Sequence, residues 1–205
     1  MLELVEREHG CNAVLEGSGS LVAEDLEVAE LPPFEGDVAG LYEHFLPADI
    51  VGQPSPPHRW FTVVDSRGRV RWTEKHPEWD ALVLVARRTP ARYLAYLRRE
   101  RICYLVVGEE RVDLPRAMAA MRTELGITCV LSTAGGGLNG ALLRADLIDE
   151  LHLTVLPGLV GGLGTPSVMD GRPLEVGVPP TRLQLLSVHQ DGGGTVRLHY
   201  AVIRA

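Results

Sequence analysis

Ala81-Leu-Val-Leu-Val-Ala86 carries no polar residue at any alternate position. A strand with one wet face alternates apolar and polar residues, so an unbroken apolar run has to be covered on both sides. Asn12–Leu15, Arg59–Val64, Cys103–Val107 and Ile127–Leu131 are further apolar strand patterns, and helical patterns separate several of them. Leu2–His9 reads as a helix ended by Gly10. Tyr93–Arg99 is helical after a start signal at Thr89-Pro90, and Leu114–Leu125 is a helix closed by Gly126. A further helix runs to Asp146. Buried strands alternating with helices predict a parallel sheet flanked by helices.

The end of the chain is patterned differently. After a strand at Leu151–Leu156 come two more, Leu183–Val188 and Thr195–Ile203, joined through "HQDGGG". Val196, Leu198, Tyr200 and Val202 share one face of the last strand, with Arg197 and His199 on the other. This period of two, entered through a glycine-rich turn, predicts an antiparallel hairpin at a sheet edge. The expectation is one α/β domain over residues 1–205, mainly parallel, with a C-terminal antiparallel hairpin and no internal linker.

At 205 residues and 45% hydrophobic the chain can build one sizeable core. Its net charge of −7 argues against duplex nucleic acid or an anionic membrane surface as partner. No apolar run approaches the ~18–20 residues of a membrane span, and a cytoplasmic protein is expected. Cys11, Cys103 and Cys129 sit in or beside apolar runs without C-x-x-C spacing, which predicts buried reduced thiols. No pair of histidines has H-x-x-x-H spacing; His152 and His199 read as exposed or edge histidines, and no metal is expected. Glu109-Glu110 and Glu24-Asp25 read as solvated charge.

Open α/β sheets hold ligands beyond the carboxyl ends of their strands. Gly17-Ser18-Gly19-Ser20 and Gly135-Gly136-Gly137 both follow strands and precede helical patterns, and Gly158–Gly164 is a third glycine-rich loop. Backbone amides bare of Cβ, at a helix start, suit a phosphate or pyrophosphate. Neither loop is a P-loop or a G-x-G-x-x-G turn. Ser66, Arg67 and Arg69 lie just past a strand end in "VVDSRGRVRW", where guanidinium groups suit a terminal phosphate; a solvated turn is the competing reading. Trp60, Trp72 and Trp79 flank this turn and are expected chiefly in the core.

"GCNAVLEGSGSLVAED", "RWFTVVDSRGRVRW", "YLAYLRRERICYLVVG" and "GGGLNGALLRADLIDELHLTVLPGLVGG" resemble, in that order, segments of the reductase domain of riboflavin biosynthesis (the RibD C-terminal type), within the dihydrofolate-reductase-like family. The resemblance runs over nearly the whole chain. It implies an NADPH-binding fold, hydride transfer to a small polar heterocycle or ribosylamino substrate, and a homodimer. Residue by residue it implies that Gly17, Ser18, Gly19 and Ser20 form the first cofactor loop. Ser66 and Arg67, with Arg69, fall near the adenosine 2′-phosphate, and Gly135, Gly136, Gly137, Leu138 and Asn139 at the pyrophosphate.

Three features depart from the family pattern. Its opening strand, with a pattern like "SLDGK", has no counterpart before Leu2, so another chain or a rearranged segment is expected to cover the neighbouring backbone. The family's frequent "EGG" becomes Thr133-Ala134-Gly135, which puts a hydroxyl at a substrate-binding position usually held by a carboxylate. Ala134 also adds a methyl where glycine is usual. No residue is assigned the chemistry, since the nicotinamide carries it. The competing readings are a non-reducing paralogue that binds a nucleotide or a partner chain, and an enzyme that reuses the cofactor cleft in a specialised pathway.

Overall fold

In a computed structural model the described residues are 9–22, 30–52, 59–73, 76, 78–171 and 173–204. The expected helix Leu2–His9 lies outside them except for its last residue, and Gly10 follows at φ +62°. The chain divides into two compact units, Met1–Gly135 and Gly136–Ala205.

The first unit is a five-stranded, wholly parallel sheet in the order β4-β3-β2-β1-β5. Its strands are β1 (Ala13–Gly17), β2 (Trp60–Val64), β3 (Asp80–Val85), β4 (Cys103–Val106) and β5 (Val130–Ser132). Between them lie two single-turn helices, α1 (Ser18–Leu21) and α2 (Ala48–Val51), and two longer ones, α3 (Ala91–Arg99) and α4 (Leu114–Leu125). On β3, Leu82, Val83, Leu84 and Val85 are all fully buried, as an unbroken apolar run requires. Val83 and Val85 pack with Tyr93, Leu94 and Leu97 of α3 and with Tyr104 of β4. Leu82 and Leu84, pointing the other way, are equally dry.

Local chemistry sets the ends of these elements. The Asp113 carboxylate accepts from the Arg116 amide at the start of α4, and Gly126 ends that helix in the left-handed region at φ +65°. Gly68 sits at φ +68° in the turn after β2, and a Cβ there would lie 2.7 Å from the Tyr93 ring. Asp65, wholly buried, shapes the same turn by accepting from the amides of Arg69 (2.7 Å) and Val70 (2.9 Å).

One expectation about cysteine is corrected. Cys11 and Cys129 form a disulfide, with Cα atoms 4.5 Å apart, while Cys103 is a free, buried thiol. The parallel register Ala13↔Val130 is the cause, because it brings the segments entering β1 and β5 side by side. Spacing in the sequence carries no trace of that pairing.

The second unit contains α5 (Gly136–Arg144) and a three-stranded antiparallel sheet in the order β6-β8-β7, made of β6 (Glu150–Val155), β7 (Arg182–Gln190) and β8 (Val196–Ile203). The expected hairpin is present as β7–β8. It is joined by β6, which the sequence had not placed in the antiparallel part. Cross-strand register puts Leu151, Leu153, Val155, Leu183, Leu185, Val188, Leu198 and Tyr200 on one face and Glu150, His152, Arg197 and His199 on the other.

Candidate active site

Because all five strands of the first unit run the same way, their carboxyl ends share one edge. The chain works outward from β1 to β4 and then returns to place β5 on the far side of β1. That reversal between β1 and β5 is where a doubly wound sheet opens a crevice. Glu16-Gly17 leave one strand there and Thr133-Ala134-Gly135 leave the other. The Thr133 amide donates to the Leu15 carbonyl at 3.2 Å, prolonging the ladder, and the Thr133 hydroxyl donates to Glu16 Oε1. Glu16 Oε2 is buried and has no hydrogen-bond partner among the described residues. Ala134 is only 8% exposed, so its methyl is turned into the packing, while Thr133 and Gly135 are exposed.

The expected cofactor residues of this unit differ in what they meet. Ser18 and Gly19, in α1, meet Arg69: its Nη2 donates to Ser18 Oγ at 3.2 Å and stands 4.0 Å from where a Gly19 Cβ would be. Arg69 Nε is buried without a hydrogen-bond partner among the described residues. Arg67 is exposed and likewise unpaired among them. Ser66 faces elsewhere, accepting from the Val112 amide at 3.2 Å, and its carbonyl accepts from the Thr89 hydroxyl at 3.0 Å. Gly17 caps α1, and Ser20 is exposed within it.

The tryptophans do not wall this edge. Trp60 is a buried residue of β2, the Trp72 indole donates to the Tyr93 hydroxyl at 3.4 Å, and Trp79 lies under the Arg59 guanidinium at 4.0 Å.

In the second unit α5 opens at Gly136, with Gly137, Leu138 and Asn139 in its first turn. The glycines here answer to two different needs. A Cβ at Gly136 would collide with the Ser167 carbonyl, and one at Gly140 with the Asp170 carbonyl, because the 167–170 segment crosses the helix start. The Asp170 amide donates to the Gly136 carbonyl at 2.8 Å. At Gly135 and Gly137 a Cβ would meet nothing within 4 Å. Bare backbone at 136 and 140 is therefore required by the fold itself; at 135 and 137 it faces open space.

Glu16 and Asp65 were not picked out from the sequence. Glu16 had a signal, a carboxylate interrupting "AVLEG" just before the glycine loop. Asp65 had the weaker one of a turn-forming residue at a strand end.

The Glu16–Thr133 pair at the switch point, with Arg67 and Arg69 nearby in sequence past the end of β2, gives the layout of an open α/β sheet whose ligands meet the carboxyl ends of its strands. The sequence pattern of the RibD C-terminal domain matches residues 6–197, and the chain belongs to that family. It is 26% identical over 185 residues to the 2,5-diamino-6-ribosylamino-4(3H)-pyrimidinone 5′-phosphate reductase of Methanothermobacter thermautotrophicus, covering 88% of this chain and 75% of that one. The reductase of the same name from Archaeoglobus fulgidus is 32% identical over 111 residues, 53% of this chain and 50% of its own; this chain thus spans half the length of that relative. Among solved structures, a pyrimidine reductase-like protein from Corynebacterium diphtheriae superposes with a TM-score of 0.68 at 17% identity, covering 98% of this chain and 80% of that one. It supports the fold.

Proposed function

We propose that this chain binds NADPH and reduces a ribosylaminopyrimidine 5′-phosphate by hydride transfer. The observation that carries the reading is Arg69: a guanidinium held against Ser18, with a buried Nε that has no partner among the described residues, beside the exposed, unpaired Arg67. A donor left unsatisfied in a dry site is costly, and an anionic oxygen would satisfy it. Arg67 and Arg69 would hold the 2′-phosphate, with Gly17, Ser18, Gly19 and Ser20 as the loop beside them and Ser66 positioning the turn. Gly135, Gly137, Leu138 and Asn139 would offer backbone to the pyrophosphate, while Gly136 serves the fold. Bound NADPH would supply the hydride; the protein's part is position, charge and exclusion of water. Glu16 and Thr133 would hold the polar groups of the substrate. The names of the curated relatives supply the substrate class.

The family match crosses both units, so residues 1–205 are taken to work as one domain. No described helix is long and apolar enough to cross a membrane, and the reaction is assigned to the cytoplasm. A homodimer belongs to the same reading: Val155, Leu183, Leu185 and Val188 lie exposed on the apolar face of the antiparallel sheet, which suits a second copy of this chain. Sedimentation of the pure protein as a monomer would reject that part alone.

The test is a calorimetric titration with NADPH and with NADH, followed by turnover of the ribosylaminopyrimidine phosphate. Micromolar binding with preference for NADPH, and its oxidation on adding substrate, is the expected result. No affinity for either nucleotide would overturn the reading. Binding without oxidation of NADPH would favour the non-reducing paralogue.

A further inference from the structure

The polar face of the antiparallel sheet gathers three metal-ligating side chains that are far apart in sequence. His152 of β6 and His199 of β8 are directly opposed in the ladder, and their rings stack with centroids 4.0 Å apart and 18° between planes. Glu150, two positions before His152 and therefore on the same face, reaches both rings. Its Oε2 lies 2.8 Å from His199 Nε2 and 3.6 Å from His152 Nε2. The ligand atoms of the three residues fall within 4.8 Å of one another. The side chains are 37% (Glu150), 21% (His152) and 23% (His199) exposed, sheltered but open to solvent.

We propose that Glu150, His152 and His199 bind a divalent transition-metal cation of the zinc class. Without an ion, Glu150 Oε2 can accept an N–H from either ring; with the rings turned to the other tautomer, the same three atoms present two imidazole lone pairs and a carboxylate oxygen. A cation uses both lone pairs and the carboxylate together. In a tetrahedral zinc site with bonds of about 2.0–2.1 Å, ligand atoms stand about 3.3 Å apart. The observed 2.8 and 3.6 Å lie either side of that spacing, so small side-chain rotations complete the site. A nitrogen-rich donor set selects zinc, nickel or copper over magnesium or calcium. The ion would tie β6 to β8 across the ladder, and it is independent of the nucleotide reading.

The experiment uses the full chain without a histidine tag, stripped with chelator and titrated calorimetrically with zinc chloride and, separately, with magnesium chloride. One equivalent of zinc at micromolar affinity or tighter, a raised melting temperature and no heat from magnesium are expected. His152→Ala and His199→Ala should each weaken zinc by about tenfold or more, while Glu150→Gln weakens it less. His189→Ala is the control: that histidine is exposed on β7 and pairs with Asp191 at 3.2 Å, and its loss should change nothing. Absence of zinc binding, or full affinity in a His152→Ala/His199→Ala double variant, overturns the proposal. Should those variants fold poorly, X-ray absorption on the zinc-loaded native protein decides. Two imidazole scatterers at about 2.0 Å support the site, and a shell without imidazole overturns it.

Discussion

Thr133 gives its hydroxyl hydrogen to the Glu16 carboxylate, joining the carboxyl ends of β5 and β1 across 117 residues of sequence. The pair sets a carboxylate from β1 beside the hydroxyl that ends β5. The second oxygen, Oε2, is buried and unpartnered among the described residues, so the pair holds acceptor capacity in reserve.

Glu16→Gln should therefore lower turnover of a ribosylaminopyrimidine phosphate by about tenfold or more while leaving NADPH affinity unchanged. Thr133→Val should cost less, because the carboxylate remains. Steady-state kinetics set beside nucleotide titration check both. An equal loss of NADPH affinity in Glu16→Gln would instead make Glu16 a cofactor residue.

Arg67→Ala should weaken NADPH by roughly tenfold and NADH hardly at all, since only NADPH carries a 2′-phosphate. Arg69→Ala should weaken NADPH and also free Ser18, loosening the Gly17–Ser20 loop. Calorimetry with both nucleotides separates the two effects.

Reducing the Cys11–Cys129 bridge, or replacing both residues with serine, should lower stability. The bridge spans a sequence separation of 118, for which chain entropy sets a stabilisation of roughly 5 kcal/mol as an upper figure. Denaturant melts with and without reductant measure it. In a cytosolic redox poise the bridge is exposed to reduction, so its state in freshly lysed cells, read by thiol trapping, bears on the assignment to the cytoplasm.

Gly140→Ala should destabilise the protein by about 1–3 kcal/mol, because the new methyl meets the Asp170 carbonyl. Gly137→Ala meets no neighbour and should raise helix stability by about 0.5–1 kcal/mol. Any loss of NADPH affinity in the Gly137 variant then reports approach of the ligand to that turn. Thermal melts and nucleotide titration on the same two proteins provide the readout.

Burial, with the Asp80 charge adding to it, pushes the Cys103 thiol up to about 12 from an ordinary value of 9.0. Burial and the Asp65 carboxylate raise the Tyr93 hydroxyl in the same direction. Above pH 9.0 the unfolded thiol loses its proton while the folded one keeps it, so stability should fall as pH rises from 9.0 towards 12. The slope from one such group is about 1.4 kcal/mol per pH unit. Urea melts between pH 8 and pH 11 check the sign (roughly constant below pH 9 and falling above it). Native Cys103 should also resist alkylation until the protein unfolds.

What the sequence disclosed was local. Leu114–Leu125 is legible to the residue, with Gly126 marking its end. The expected strand Ile127–Leu131 shrinks to Val130–Ser132 because Ile127 belongs to the end of α4: its amide donates to the Met121 carbonyl at 3.2 Å and its side chain is 3% exposed. Apolarity there recorded packing of a helix cap, a signal periodicity cannot distinguish from a short strand. The Glu16–Thr133 pair, the Cys11–Cys129 bridge and the His152–His199 stack were all hidden for one reason. Each depends on the register between two strands, and register is fixed by the assembled sheet. Gly136 shows the converse, a residue found by pattern whose bareness serves the 167–170 backbone.

The strand order also sets a timetable. β1 lies between β2 and β5, so one of its edges is satisfied within the first third of the chain, while the other waits for residues 130–132. During synthesis the nascent chain can zip β1 to β4 in sequence, yet it must carry one open strand edge and the unpaired Cys11 thiol until Cys129 and β5 leave the ribosome. The seam that holds Glu16 against Thr133 is therefore the last part of the parallel sheet to close, and an interrupted chain would stop with β1 as an exposed edge.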